Sequence, residues 1–231
     1  MTQVMAHRGA SKVEQENTTM AFHRALEMGA NAVELDVRRC ATGELIVHHD
    51  ARLSDGRVIL ATKKADLPDF VPTLNEALDA CGSMWVNIEI KNDSSEQDFD
   101  PSERVTREVV EFLKQRGSIE KWLISSFRRE TVDTVRKLMP ELKTAWLVMT
   151  IDNAELEIIA KQMADQGHYA IHPWVKSLTE QLVIVFHKHG LKVNTWTCDN
   201  PSRMKELIDW GIDGICTNVP DLALQVVNTH H

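Results

Sequence analysis

The chain has 231 residues, 43% hydrophobic and 26% charged, a composition that excludes a disordered chain and allows one large core. Its 34 acidic against 26 basic residues leave a net charge of -8, which excludes the basic footprint that general nucleic-acid binding requires. No apolar run reaches membrane-spanning length and the start MTQVMAHRGA lacks the apolar core of a secretion signal, so a mature protein beginning at or near Met1, without stable membrane insertion, is expected. Cys40, Cys81, Cys198 and Cys216 show no CxxC or Cys/His ligand spacing and read as reduced structural thiols, which favours the cytoplasm.

Short Val- and Ile-rich runs alternate with stretches of helical periodicity, with no linker or low-complexity interruption, which predicts one domain over residues 1–231. In chain order the predicted elements begin with strand VMAHR, helix TTMAFHRALEMG, strands AVELDVR and ELIVHH, helix TLNEALDAC, strand WVNIEIK and helix SERVTREVVEFLKQRG. Strand WLISS, helix ETVDTVRKLM, strand TAWLV, helix NAELEIIAKQMADQG, strand YAIHP, helix TEQLVIVFHKHG, strand KVNTWT, helix PSRMKELIDWG and strand DGICT follow. Several helices stop at Gly, and one begins with Pro in its first turn. VELDVRRCATGELIVHH joins two strands through a few turn residues, so that pair is an antiparallel hairpin. Setting its return arm aside leaves eight parallel units, and a (β/α)8 TIM barrel with a short hairpin after strand 2 is the expected fold. A doubly wound open sheet is the alternative, though no GxGxxG turn follows the first strand.

In such a barrel chemistry sits at the carboxyl ends of the strands, where the unusual polar residues fall. His7 and Arg8 end the first strand, Glu34 and Asp36 lie late in the second, Glu89 and Lys91 end another, and Thr195 and Thr197 flank Trp196. Residues two apart on a strand share a face, so Glu34 and Asp36 repel each other unless a cation lies between them. With Glu89 they make an oxygen-rich set suited to Mg²⁺ or Ca²⁺. The plainer alternative is that each carboxylate faces solvent or pairs with Arg38, Arg39 or Lys91. Among the histidines, His23, His168, His187, His189, His230 and His231 read as surface residues, while His172 sits at a strand end where it can line a pocket. His7 and His49 each close a strand and can reach one cavity as a general acid and base, whereas His48 points the other way by alternation. Arg8 and Lys91 supply the positive charge that an anionic substrate requires.

AHRG followed by ENT, then VELDV, ELIVHHDARL, PTLNEAL, IEIK, SSF, HGLKVNTWT and GIDGICTNVPD, in that order from Ala6 to about Asp221, resemble the motif set of the glycerophosphodiester phosphodiesterases, in their short, single-domain bacterial form. The resemblance implies a (β/α)8 barrel, a divalent cation, and a small deacylated phospholipid such as glycerophosphocholine or glycerophosphoethanolamine cleaved to sn-glycerol 3-phosphate and an alcohol. It implies that Glu34, Asp36 and Glu89 hold the metal, His7 and His49 are the acid–base pair, Arg8 and Lys91 bind phosphate, and Trp196 lines the pocket. Glu16 orients Arg8 or the metal shell on the same reading, and Asn17 or Thr18 caps the first helix.

Gln15, Ala51 and Asn218 depart from the family's pattern, Asn218 standing where an Asp is frequent; none is expected to touch the acid–base or metal positions. The stretches DGRVILATKKADLPDF and NDSSEQDFDPSE are expected to be mobile lids that set head-group preference. A lysophospholipase D on the same fold is the first alternative function, and a non-catalytic barrel the second. The sequence leaves open the metal's identity, the role of each histidine, attack by water or by the glycerol hydroxyl through a cyclic phosphate, and the oligomeric state.

Overall fold

The structure is a computed structural model and describes residues 2–230; His231, expected at the surface, lies outside the described residues. Eight parallel strands close a barrel: β1 (Gln3–His7), β2 (Ala32–Arg39), β4 (Trp85–Ile90), β5 (Trp122–Ser126), β6 (Lys143–Val148), β7 (Ala170–Pro173), β8 (Lys192–Thr195) and β9 (Gly214–Thr217), with β1 pairing both β2 and β9. Strand β3 (Leu45–Val47) runs antiparallel to β2 as the hairpin's return arm, so the expected barrel and hairpin are both present, the arm shorter than the sequence run.

Helices α1 (Thr19–Glu27), α2 (Leu74–Ala80), α3 (Arg104–Arg116), α4 (Arg129–Leu138), α5 (Leu156–Asp165), α6 (Glu180–Lys188) and α7 (Pro201–Asp209) fall within or close to the predicted stretches. Side chains stop the orphan amides at several starts: Thr18 accepts from Ala21, Thr73 and Glu76 form a capping box, and Asn200 accepts from Ser202 and Arg203. An eighth helix, α8 (Pro220–Thr229), was not among the predicted elements. Its Ala223, Val226 and Val227 are buried in one apolar cluster with Val4 and Ile215, so it covers the seam where the last strand meets the first. That face is defined only once the barrel closes.

The core lies between sheet and helices. Along β2, Val33, Leu35 and Val37 are fully buried against the helices, which turns the alternating Glu34 and Asp36 into the barrel. Among the described residues no helix is long and apolar enough to cross a membrane, and all four cysteines are free and buried.

Both expected lid segments pack against the rest of the chain. Ile59 and Leu67 of the first segment, with Val71 just after it, bury a separate small core with Cys40, Ile46 and Leu53. The second is anchored by Arg38, whose side chain has no exposure and whose Nη1 donates to Asp98 at 2.6 Å while its Nη2 lies 2.5 Å from Glu96. Arg38 also donates from Nε and Nη2 to the His49 carbonyl at 2.8 and 2.6 Å. Sixty residues separate Arg38 from Asp98, so no local pattern announces this anchor. Replacing Arg38 with Leu leaves Asp98 and Glu96 without their buried cation, and the expected loss is about 3 kcal/mol in a denaturant titration; an unchanged midpoint would show that the loop holds without it.

Candidate active site

The turn after β1 explains the opening motif. Arg8 and Asn17 both adopt left-handed backbone, at φ 56° and 58°, and Gly9 follows at φ 84°. A Cβ on Gly9 would stand 2.6 Å from the Ala21 backbone, so only glycine passes α1 here. The turn brings the Arg8 amide to Glu34 Oε2 at 3.0 Å, its Nε to 3.3 Å from Asp36 Oδ2, and its Nη1 to Glu16 Oε1 at 2.8 Å. Glu16 therefore touches Arg8 rather than the carboxylate set. Thr18, not Asn17, caps α1; Asn17 instead donates from Nδ2 to Asp36 Oδ2 at 2.8 Å.

Strand register sets the carboxylates. His7 lies beside Glu34, and Asp36 beside Glu89, on paired parallel strands. One oxygen each from Glu34, Asp36 and Glu89 falls within 4.8 Å of the others, and all three residues are buried. Burial pushes the Glu34 carboxyl well up, and Asp36 and Glu89 push it further. Burial raises Glu89 as well, against the pull of Lys91. Asp36 is the exception: burial opposes its charge, but Lys91 and Arg8 outweigh it and hold the group below the usual carboxylate range. Lys91 Nζ stands 2.8 Å from Glu89 and 3.6 Å from Asp36. Glu34 Oε1 and Asp36 Oδ1 are buried without any hydrogen-bond partner. Two orphaned oxygens in an all-carboxylate set are what a hard divalent cation satisfies, so these residues fit one.

His7 and His49 face the same cavity of about 120 Å³, with Arg8, Lys91, Phe127 and Trp196 on its wall. Burial is the main cause lowering the pKa of each imidazole, with Arg8 adding to it at both. His49 also lines a larger outer cavity of about 650 Å³ together with His48, and of the two adjacent histidines it is His49 that lines the smaller cavity. His7 Nδ1 lies 2.7 Å from Asn218 Oδ1, and His49 Nδ1 lies 2.7 Å from Asp50 Oδ1. The first contact corrects the expectation that the Asn218 departure leaves the acid–base positions untouched. Trp196 meets Phe127 edge to face at 5.2 Å between centroids, and its Nε1 donates to the His172 carbonyl at 2.8 Å. Phe127, Asp50, Asn218 and Asp199 border these candidate residues without having been named among them; SSF contains Phe127, HHDARL contains Asp50 and GICTNVPD contains Asn218, while nothing local marks Asp199.

Two other histidines differ from a surface role. His168 is buried between Thr144 Oγ1 and Asp133 Oδ1, each 2.9 Å away, and is a core residue rather than a surface one. His172 does line the small cavity, but complete burial drives its pKa to about 3, so it stays uncharged near neutrality. In the unfolded chain the same group titrates near 6.5. Below that pH the unfolded state takes a proton that the fold refuses, so this contribution is present above 6.5 and is lost toward 3, at about 1.4 kcal/mol per pH unit. His172→Gln is expected to flatten the fall of the unfolding midpoint across that window; equal slopes would sink the assignment.

A family model described as the glycerophosphoryl diester phosphodiesterase family matches residues 7–222. The chain belongs to that family. It is thus a phosphodiesterase by membership, with the family's barrel. A glycerophosphodiester phosphodiesterase of Caldanaerobacter subterraneus subsp. tengcongensis is 32% identical, over 98% of both chains. Another from Bacillus altitudinis is 29% identical, again over 98% of each. Among solved structures, an Oleispira antarctica phosphodiesterase in complex with the product sn-glycerol-3-phosphate superposes with a TM-score of 0.88 at 26% identity, covering 99% of this chain and 98% of that one.

Proposed function

We propose that residues 1–231 form a single catalytic domain that hydrolyses small glycerophosphodiesters to sn-glycerol 3-phosphate and a free alcohol, acting in the cytoplasm. The observation that carries this reading is the shared 120 Å³ cavity, where two imidazoles, Arg8 and Lys91 stand over buried carboxylates. Glu34, Asp36 and Glu89 hold a divalent cation, Mg²⁺ or Ca²⁺, which when bound offsets charge on the phosphoryl oxygens. Arg8 and Lys91 bind those oxygens too, and Glu16 keeps Arg8 extended across the site. His7 and His49 transfer protons at their Nε2 atoms, one from the attacking oxygen, of water or of the glycerol, and one to the departing alkoxide. Trp196 and Phe127 give the glycerol carbons an apolar wall and keep water off it.

The test is release of sn-glycerol 3-phosphate from glycerophosphoethanolamine and glycerophosphocholine by purified protein, with EDTA and then with Mg²⁺ or Ca²⁺ restored. Turnover that EDTA abolishes and one ion restores is the expected result. No turnover under either ion, with the corresponding lysophospholipid cleaved instead, would overturn the substrate assignment.

A further inference from the structure

We infer that Asn218, clamped by Asp199, is a positioning residue that holds neutral His7 with its hydrogen on Nδ1 and its Nε2 lone pair facing the cavity. The inference rests on the reading of His7 as one of the proton-transfer pair. Asp199 lies in the loop after β8. Its Oδ1 accepts from the Asn218 amide at 2.8 Å and from Thr217 Oγ1 at 2.9 Å, and its Oδ2 accepts from Asn218 Nδ2 at 2.7 Å. A carboxylate in this network only accepts, so the nitrogen end of the Asn218 side chain must face it. The oxygen end then faces the other way, where Ser11 Oγ donates to it at 3.0 Å and His7 Nδ1 lies at 2.7 Å.

An amide oxygen carries no hydrogen to give. The His7 nitrogen beside it must therefore be the donor, and in the neutral ring this leaves Nε2 bare. Nε2 is the atom turned inward, 3.9 Å from Glu34 Oε2. His49 is held differently, by the Asp50 carboxylate at 2.7 Å. The two imidazoles are thus not equivalent: one leans on a neutral acceptor fixed from behind, the other on an anion at the surface.

The pairing also explains why Asn stands at 218. An Asp there would set one carboxylate against another at the 2.7 Å contact with Asp199, so the two positions are matched as a donor and an acceptor. Exchanging them restores the match. In the double variant Asn218→Asp with Asp199→Asn, the new amide at 199 keeps an oxygen for Thr217 and the backbone and donates its nitrogen to the carboxylate at 218, which still accepts from His7.

The test measures both ring state and rate. Nitrogen-15 spectra of the intact protein above the His7 titration, with His7→Gln used to assign the signals, are expected to show protonated Nδ1 and bare Nε2. Asn218→Leu is expected to lower kcat roughly 100-fold with little change in KM, because the ring is misplaced rather than the substrate unbound. Asn218→Asp alone is expected to lose a similar factor, and the exchange variant to recover most of it. Hydrogen on Nε2 in the unaltered protein would overturn the inference whatever the variants do. So would an Asn218→Leu enzyme with full kcat, or an exchange variant no better than Asn218→Asp. Full turnover in His7→Ala would instead remove the proton-transfer reading and leave the ring state standing.

Discussion

Replacing His7 or His49 with alanine is expected to lower turnover by roughly 10² to 10⁴-fold, the range that a positioned acid or base contributes. Folding is expected to survive each change. Neither deletion strands a buried charge: Asn218 Oδ1 keeps its bond from Ser11, and Asp50 is mostly exposed. KM is expected to move little, because the proposed phosphate-binding side chains, Arg8 and Lys91, are kept in both variants. Combining the two changes is expected to cost far less than the product of the single losses, since one missing proton transfer already stalls the reaction. A nitrophenyl glycerophosphodiester separates the roles. Its leaving group departs without a proton, so the variant lacking the acid recovers on this substrate and the variant lacking the base does not. Near-normal turnover of the natural diester in either single variant would sink the acid–base assignment.

The sequence carried the barrel because hydrophobic period is a local property. The two-residue alternation in VELDV places Val33, Leu35 and Val37 against the helices and turns Glu34 and Asp36 inward, and the structure buries them in that sense. The return arm of the hairpin likewise put His49 near His7, and both line one cavity. What stayed hidden depends on closure. Asn218 reaches His7 across 211 residues, a contact that exists only when β9 meets β1, and Asp199 reaches Asn218 only once β8 and β9 pair. His168 looked like a helix-flanking surface residue, yet the β6 to β7 packing encloses it beside Thr144. Loop composition conceals a contact for the same reason: the polar stretch carrying Glu96 and Asp98 gives no sign that Arg38, sixty residues earlier, pairs with both.

Glu34→Gln is expected to abolish turnover while leaving the metal-free protein as stable as before, or more stable. Three buried carboxylates share one small space, and two of their oxygens have no partner, so the fold without a cation carries uncompensated repulsion. The sign follows from linkage. In the unfolded chain Glu34 titrates near 4.5, whereas burial beside Asp36 and Glu89 raises it in the fold. Between those values the folded protein binds a proton that the unfolded chain has released, so stability of the metal-free protein falls as pH rises through that window. Gln at 34 removes this dependence together with the charge. A cation in the site does the same in the unaltered protein by neutralising the carboxylates directly. Saturation at 100 times Kd is then expected to add about 2.7 kcal/mol, or roughly 5 to 11 °C in Tm for a chain of this size. Thermal melts of both proteins, with EDTA and with Mg²⁺ or Ca²⁺, read all of this at once. The unaltered protein should gain stability from the ion and the Gln variant should gain much less. Equal gains in the two would show that the ion binds elsewhere, and a Gln variant that is markedly less stable in EDTA would show that the Arg8 amide bond to Glu34 matters more than the repulsion it sits beside.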